Sequence, residues 1–373
     1  MPATASRGCE RVLRRDGTGL WALACYFNPL GWQSRRQLFS TFHAALKVPL
    51  LVVEWSPSGR FELESTADMQ VVHVSGGSLL WQKESLLNLG LKHLSDACSH
   101  VVALDADLIL EDDDWPEQLV DGLNSFDVLQ PFREVCHLPP GRMSADAPTD
   151  AGEVVYTSTC TVLGAALLEA ADAPALLDRV IRNQRLRFEA LLIDAGDPEQ
   201  RRAHEERNAF QDLGIPTPGL GWACRRETLE AIGPIPDRFI AGGGDLFWLL
   251  GLLGRGRELI SACVSAGLTY VDHHVYGQFC ERVGAPGLSL GCLRQRVFHL
   301  HHGSLSKRRY DARHVALQRL GINLDTDLGT DVSGMLQFQG ARAAEFESYL
   351  HRYLLERQED ERHRDAAASA GGF

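Results

Sequence analysis

Two aspartates separated by one residue, Asp105 and Asp107, follow the apolar run of SHVVALDADLILEDDD, residues 99–114. If the strand continues through them, both side chains project from one side of it and Ala106 from the other. A divalent cation bound between two neighbouring carboxylates removes their mutual repulsion and can hold a diphosphate as a Lewis acid. Oxygen ligands favour Mg²⁺ or Mn²⁺. The structural alternative is that one aspartate caps a turn and the other is solvated, and the motif alone does not choose between them.

A histidine-rich segment late in the chain, VFHLHHGSLSKRRY at residues 297–310, supplies further candidate ligands. A neutral imidazole can complete the coordination of the same ion. His302, which precedes a glycine, is the preferred ligand, and His299 is the second choice. Because His299 and His301 alternate along a predicted strand, at least one of them is expected to be structural. The basic residues that follow can hold phosphate oxygens. They are Lys307, Arg308 and Arg309.

The segment FIAGGGDLFWLLGLL, residues 239–253, joins three consecutive glycines to an apolar helix. Glycine lets a backbone approach a ligand closely, so Gly243 and Gly244 are candidate donor-binding positions. Asp245 can be a simple N-cap of the helix, which is a common structural role. Alternatively, it lies beside a sugar or acceptor hydroxyl and acts as general base or hydrogen-bond acceptor. The glycine run favours the second interpretation, because a helix cap does not need three glycines.

Strands and helices alternate along the chain before the aspartate pair. Strand patterns occur at residues 20–27, 48–55, 69–74 and 101–104, and helical patterns at 31–46 and about 78–94. This alternation predicts a largely parallel sheet with helices on both faces and ligands at the carboxyl ends of its strands. Asn28, Glu54 and the aspartate pair stand at such ends and are expected to line one crevice. Lys83 and Asn88, on the second helix, can face that crevice and contact an anionic ligand.

Composition and pattern divide the chain into three parts. Residues 1–17 are expected to form an N-terminal extension, 18–330 the main domain, and 331–373 a C-terminal helix with a disordered tail. Within the main domain, residues 133–215 are interpreted as an insertion of loops and surface helices with no assigned role. The sequence contains no internal repeat and no phosphate-cradling G-x-x-x-x-G-K-[ST] loop.

The composition is that of a globular enzyme. Of 373 residues, 45% are hydrophobic and 23% charged, so extensive disorder is not expected. The net charge of −12 argues against a general affinity for nucleic acid or anionic membranes. The nine cysteines include no C-x-x-C pair, which favours free thiols in a reducing compartment. No signal peptide or membrane-spanning segment is recognised, which predicts a cytoplasmic protein.

Three blocks of the sequence together resemble the GT-A glycosyltransferases. They are LDAD after a strand and helix, GWACRRETLEAIG followed by FIAGGGD, and the late histidine before HGSLSKRRY. The sequence is most similar to the galactosyltransferase and polypeptide N-acetylgalactosaminyltransferase type, in order from Leu20 to Arg313. The resemblance implies an α/β GT-A fold, that of nucleotide-diphospho-sugar transferases, in which helices sandwich a mixed, mostly parallel sheet.

The resemblance also implies roles for particular residues. In this family the paired acids and a late histidine bind Mn²⁺ on a nucleotide-sugar diphosphate, which carries over to Asp105, Asp107 and His302. The acid that ends the glycine-rich loop touches donor sugar or acceptor, which carries over to Asp245. Residues near the first strand ends and the following helix hold the nucleotide. The candidate donor-binding residues are Asn28, Glu54, Lys83, Asp105, Gly243, Gly244, Lys307 and Arg309.

The predicted function is that of a metal-dependent hexosyltransferase. Such an enzyme would move a sugar from a nucleotide-diphospho-sugar to a hydroxyl group of a glycan or protein. The resemblance implies that the donor is a UDP-sugar. Two alternatives stay open. Some phage-associated relatives with a similar H-G-x-x-x-x-R-Y ending act on hydroxymethylated DNA bases, although the net charge of −12 counts against that acceptor. A nucleotidyltransferase on a related fold would usually carry a glycine-rich loop where this chain has NPLGWQSRR.

A non-catalytic carbohydrate-binding protein is a further alternative, but it leaves the set of acids and the late histidine unexplained. The chain also departs from the resembled family. It has Gly-Gly-Gly-Asp where relatives more often have Trp-Gly-Gly-Glu. The donor sugar, the acceptor and the stereochemistry of transfer therefore stay open.

Overall fold

The computed structural model of the protein describes residues 19–144, 157–193, 216–268, 271–284, 287–303 and 310–360. Several predicted features lie wholly or partly outside these ranges. They are the extension at 1–17, the end of the expected tail from 361, the basic cluster at 307–309, and parts of the segment 133–215.

Short β-strands recur through the chain. They are β1 (Leu20–Phe27), β2 (Leu50–Ser56), β3 (Met69–Ser75), β4 (His100–Leu104), β5 (Leu108–Leu110), β6 (Val128–Gln130), β7 (Glu134–His137), β8 (Ser158–Thr161), β9 (Gly221–Arg225), β10 (Leu290–Cys292), β11 (Arg296–His299), β12 (Leu328–Thr330) and β13 (Leu336–Phe338). Seven strands form the main sheet in the order β10-β6-β9-β4-β1-β2-β3. The β1–β2, β1–β4, β2–β3 and β6–β10 pairs are parallel, whereas β9 is antiparallel to β4 and β6. The predicted α/β class with a mixed, mostly parallel sheet is therefore confirmed.

Helices lie between and after these strands. They are α1 (Gln33–Ala45), α2 (Lys83–Leu91), α3 (Trp115–Gly122), α4 (Leu163–Glu169), α5 (Ala173–Ile193), α6 (Arg226–Ile232), α7 (Gly244–Leu252), α8 (Gly256–Ser265), α9 (His273–Val283), α10 (Tyr310–Arg319), α11 (Leu324–Asp327) and α12 (Ala343–Arg357). Alternate residues of β1 face two separate apolar clusters, Leu23 in one and Ala22 in the other. Both faces of the sheet are thus buried, as its continuous apolar strands require.

Helix α2 packs unusually close to the sheet. A Cβ at Gly90 would overlap Leu23 Cδ1, so a larger residue here would have to displace core side chains. The helix is shorter than the predicted 78–94, because the residues before it pair with β13 instead. Ser78 Oγ accepts a hydrogen bond from the Phe338 backbone N–H (2.8 Å), and Gln82 Oε1 accepts one from Leu336 (2.9 Å). The first residue of α2 is consequently Lys83.

A second sheet was not predicted. It has the order β5-β11-β7-β8, and two of its strands, β7 and β8, come from the segment interpreted as loops and surface helices. That interpretation is incomplete, because strands of four residues give too short a pattern to recognise. The same segment contributes α5, whose Leu176 and Val180 join the main core.

The segment that follows the C-terminal helix α12 contacts the start of α1. Asp360 accepts hydrogen bonds from the backbone N–H groups of Gln33 (3.0 Å) and Ser34 (2.9 Å), which caps α1 from outside the helix. Eight cysteines among the described residues are free thiols. In the described part of the chain, no helix combines the length and the apolar character needed to cross a membrane.

Candidate functional site

A cavity of about 1570 Å³ opens where β1 and β4 end. Strand ends, the α2 N-terminus, the glycine loop before α7, and parts of α5, α10 and β11 line it. Among the predicted site residues, those that line the cavity are Lys83, Asp105, Asp107, Gly243, Asp245, His299 and His302. The fold thus brings most of the predicted chemistry to one place, at the strand ends where α/β proteins bind ligands.

The aspartate pair does not continue a strand, and in this respect the prediction is wrong. Strand β4 ends at Leu104, and residues 106–107 form a turn before β5 begins at Leu108. The two side chains therefore diverge. Asp105 turns to Lys83, while Asp107 turns to the histidines.

Asp107 forms a compact group with His299 and His302. One ligand atom from each residue lies within 4.8 Å of the other two. Asp107 Oδ2 is 3.0 Å from His302 Nε2, and Oδ1 is 3.7 Å from His299 Nε2. All three residues are buried. His301, the remaining histidine of the segment, is not part of this group.

These three residues fit a divalent transition metal. Asp107 Oδ1 is buried and, among the described residues, has no hydrogen-bond partner. A buried carboxylate oxygen left without a donor is costly, and a cation removes that cost. One carboxylate and two imidazoles suit Mn²⁺ better than Mg²⁺, which prefers ligands made of oxygen alone.

His137 orients one of these ligands. Its Nδ1 is 3.1 Å from His299 Nδ1, because β7 and β11 pair in parallel with these two residues in register. His137 Nε2 lies 3.8 Å from the sulfur of Cys160, which also accepts a hydrogen bond from Thr217 Oγ1 (3.1 Å). If His299 donates from Nδ1 and His137 from Nε2, every contact is satisfied and His299 Nε2 faces Asp107 with its lone pair.

Lys83 joins the two other predicted acids. Its Nζ is 2.7 Å from Asp105 Oδ1 and 3.1 Å from Asp245 Oδ1. Burial works against the charged amine, but the two carboxylates outweigh it and raise the pKa of Lys83 well above its usual range. Burial, together with Asp245 and Asp107, raises the pKa of Asp105 to about 6 even though Lys83 opposes the shift. Asp105 thus lies within electrostatic reach of both acids.

Asp245 is not the N-cap of its helix, so the N-cap interpretation is wrong. Helix α7 begins at Gly244, and its N-cap is Gly243 at φ 93°, a left-handed conformation that favours glycine. The next residue, Asp245, points to Lys83. A Cβ at Gly244 would overlap the Glu84 carboxyl group, so glycine here lets the loop pack directly against that side chain.

Glu84 is a site residue that the sequence analysis missed. It is 3% exposed, lines the cavity, and has an Oε2 with no hydrogen-bond partner among the described residues. Burial raises the pKa of Glu84 to about 8, with a further contribution from Asp245. The only feature of the sequence that pointed to Glu84 was its position beside Lys83. No feature of the sequence pointed to His137, because its contact with His299 exists only through strand pairing.

Asn28 and Glu54 are not among the residues that line the cavity, so the expectation of one crevice shared by all strand ends is wrong for them. The side chain of Asn28 makes two hydrogen bonds to the turn that follows it. It accepts one from the backbone N–H of Trp32 (2.9 Å) and donates one to the backbone carbonyl of the same residue (3.0 Å). Glu54 is 2% exposed, and its carboxylate accepts hydrogen bonds from the backbone N–H groups of Glu62 (2.6 Å) and Leu63 (3.0 Å). Their carboxylate and amide groups hold loops in place.

Asn88 has a structural position as well. Its side chain exchanges two hydrogen bonds with the backbone of Ile235, each of 2.8 Å. It therefore fastens α2 to the segment that leads into the glycine loop. Lys307 and Arg309, the predicted phosphate contacts, lie outside the described residues.

No family model and no curated protein matches the chain. Among solved structures, it is similar to S. aureus TarS in complex with UDP-GlcNAc, with 11% identity, a TM-score of 0.35, and coverage of 76% of this chain and 59% of that one. It is also similar to M. tuberculosis glucosyl-3-phosphoglycerate synthase in complex with Mn²⁺, UDP and phosphoglyceric acid, with 14% identity, a TM-score of 0.35, and coverage of 83% and 81%. A Drosophila β-1,4-galactosyltransferase 7 complex with manganese, UDP-Gal and xylobiose has 10% identity, a TM-score of 0.32, and coverage of 89% and 98%.

The chain spans less than two thirds of the TarS chain. One of these neighbours is a galactosyltransferase by name, and all three are described with UDP or a UDP-sugar. At these identities and TM-scores the likeness carries no argument, so the function is argued from the site.

Proposed function

We propose that the protein is a metal-dependent glycosyltransferase that uses a nucleotide-diphospho-sugar. One observation carries the proposal: a compact acid and histidine group and a separate lysine-held carboxylate, Asp245, line the same large cavity. Sugar transfer from a diphosphate needs both parts. The departing diphosphate must be stabilised, and the acceptor hydroxyl must lose a proton.

Asp107, His299 and His302 would hold the ion, Mn²⁺ in preference to Mg²⁺. This set of ligands differs from the predicted one, Asp105, Asp107 and His302. Asp105 forms an ion pair with Lys83 instead, and His299 takes its place in the group. When bound, the metal supplies a Lewis acid that stabilises negative charge on the diphosphate. The sequence resemblance favours UDP as the nucleotide. A cytoplasmic location stays a prediction.

Lys83 has two tasks in this proposal. It joins Asp105 and Asp245 as their shared counter-ion, which offsets the repulsion between the two carboxylates, and its position beside both acids keeps the Asp245 carboxylate oriented toward the cavity. Asp245 receives the proton of the acceptor hydroxyl if transfer inverts the anomeric carbon, or orients the substrate if transfer retains it. The glycine at the helix N-cap lets this backbone approach the sugar closely.

A panel of UDP- and GDP-sugars tests the proposed function. The protein is incubated with each sugar nucleotide with and without Mn²⁺, and release of the nucleoside diphosphate is measured. We expect release from at least one donor, dependent on the ion. Pyrophosphate release from a nucleoside triphosphate and a sugar phosphate would instead identify a nucleotidyltransferase. Salt-dependent binding of DNA would be required for a DNA-base acceptor, which none of the described residues supports.

His137→Leu is expected to weaken Mn²⁺ binding by roughly 10- to 100-fold, the usual effect of losing an outer hydrogen-bond partner of a metal ligand. The leucine cannot accept the Nδ1–H of His299, so the ring is free to rotate away. Calorimetric titration of the protein with Mn²⁺ measures the effect without any turnover. His137→Asn is the matched variant, because its amide oxygen can restore the acceptor. Unchanged Mn²⁺ affinity in His137→Leu would show that His137 only fills space.

A further inference from the structure

Glu84 is a buried acid on the cavity wall that has no part in the proposed chemistry. It is the second residue of α2, and its side chain is 3% exposed although it lines the cavity. An acid in the first turn of a helix is ordinarily a solvated group that interacts favourably with the helix dipole. That role does not need burial, so helix stabilisation does not explain the position of this carboxyl group.

The contact between Glu84 and the glycine loop is fixed from both sides. The Glu84 carboxyl group packs directly against Gly244, the first residue of α7. Ser85 Oγ donates a hydrogen bond to Asp237 (3.1 Å), and the Asn88 hydrogen bonds described above hold α2 against the same segment before the loop. The carboxyl group therefore has a preset position on the cavity wall, as a ligand-binding group requires.

One oxygen of this carboxyl group is left without a partner. Glu84 Oε2 is buried and has no hydrogen-bond partner among the described residues, whereas Oε1 lies against Gly244. The adjacent cation, Lys83, makes its ion pairs with Asp105 and Asp245 instead. Buried polar atoms in folded proteins are almost always hydrogen-bonded, and leaving one unpaired is costly. An unpaired oxygen on the wall of a ligand cavity therefore indicates a contact that a bound ligand completes.

The groups that face Glu84 favour its uncharged form. Burial raises the pKa of Glu84 to about 8. The negative charges of Asp245 and Asp237 add to this shift, and Lys83 opposes it. Cys25, within electrostatic reach on β1, keeps a neutral thiol because burial raises its pKa far above the usual range. Near neutral pH Glu84 is thus a protonated carboxyl group, with an O–H that donates and a second oxygen that accepts.

A protonated carboxyl group suits a sugar hydroxyl. Each of the two groups donates one hydrogen bond and accepts others, so they satisfy each other in a buried site. A diphosphate offers acceptors alone, and its negative charge belongs at the proposed metal ligands. In the proposed reaction the transferred sugar lies between the diphosphate and the acceptor hydroxyl at Asp245. Glu84 contacts the loop that carries Asp245.

We propose that Glu84 binds a hydroxyl group of the transferred sugar and thereby determines which donor sugar the enzyme accepts. This inference rests on the proposed function, since it names a specificity-determining residue of the same site. A site built to hydrogen-bond a hydroxyl group discriminates strongly against a ligand that lacks it, because the buried protein group is then left unpaired.

Deoxy analogues of the donor sugar test this contact. The donor identified by the panel of UDP- and GDP-sugars is compared with analogues that each lack one hydroxyl group, by calorimetric titration in the presence of Mn²⁺. We expect one analogue to bind roughly 10- to 100-fold more weakly than the parent donor, the effect of leaving a buried group without its partner. Glu84→Met should weaken the parent donor by a similar factor and bind this analogue no worse than the parent, because the contact is already lost.

Two further variants and one reference ligand separate this contact from a structural role. The nucleoside diphosphate without sugar should bind equally to the unmodified protein and to Glu84→Met. Glu84→Gln should keep most of the donor affinity, because its amide donates and accepts like a protonated carboxyl group. Glu117→Met is the matched control, since Glu117 is an exposed first-turn acid of α3 that does not line the cavity. Thermal melting shows whether each variant is folded, and Glu84→Leu takes the place of Glu84→Met if that variant does not fold.

Three results would overturn the proposal. In the first, Glu84→Met discriminates among the deoxy analogues as the unmodified protein does. In the second, it loses affinity for the nucleoside diphosphate alone to the same extent, so that Glu84 supports the nucleotide or the fold. In the third, Glu84→Gln and Glu84→Met lose donor affinity equally, so that a charge is required. If no nucleotide sugar binds to the unmodified protein, the proposed function itself fails, whereas binding without the expected differences refutes only the role of Glu84.

Discussion

Replacement of Asp107 by alanine is expected to abolish metal-dependent release of nucleoside diphosphate. Asp107 is the only carboxylate of the group with His299 and His302, and it contacts both rings. Its loss leaves two neutral imidazoles, which offer a divalent cation no negative charge. The fall in Mn²⁺ affinity should exceed the roughly 10- to 100-fold that follows loss of an outer-shell partner.

Two measurements check this expectation. Calorimetric Mn²⁺ titration reports affinity, and nucleotide release reports turnover at saturating donor. Asp112→Asn is the control, since it changes an acid in the same segment that does not line the cavity. Unchanged Mn²⁺ affinity in Asp107→Ala would show that the ion does not bind to this group. Unchanged turnover would remove the whole site assignment.

Asp245→Asn is expected to lower kcat by roughly 10²- to 10⁴-fold, the contribution of a positioned general base. Asparagine has nearly the same shape, and its side-chain oxygen can still accept a hydrogen bond from Lys83, whose Nζ is 3.1 Å from Asp245 Oδ1. The loop should therefore keep its conformation while the proton acceptor is lost. The KM for the donor should change little.

Steady-state kinetics with the active sugar nucleotide separates these quantities. Asp127→Asn serves as control, because Asp127 is also paired with a basic side chain but does not line the cavity. A higher donor KM with normal kcat would make Asp245 a binding residue. A small effect on both would direct attention to Glu84, a buried carboxyl group beside the glycine loop.

Local pattern was enough to predict the first strands. Strand β1 forms at the predicted residues 20–27, and β3 extends one residue beyond the predicted 69–74. Continuous apolar runs of this length have few alternatives to a buried strand, so the alternation with helices predicts the parallel part of the sheet. The second sheet escaped prediction because β5, β7, β8 and β11 have only three or four residues each.

Residue chemistry was likewise enough to select much of the candidate site. The aspartate pair, the late histidines and Asp245 are rare polar groups at the ends of apolar runs, and they line one cavity in the fold. Which partner each of these side chains contacts was not predictable. An extended strand would have aimed Asp105 and Asp107 together, but the turn at residues 106–107 sends one to Lys83 and the other to two imidazoles.

The sequence by itself thus determined the fold class and the kinds of group available for catalysis. These depend on side-chain type and short-range periodicity, which the chain carries locally. Only the tertiary structure decided which groups meet: His137 against His299 across paired strands, Glu84 against Gly244, and Lys83 against Asp245. Such contacts join residues more than a hundred positions apart, and no local pattern encodes the strand pairing and helix packing that create them.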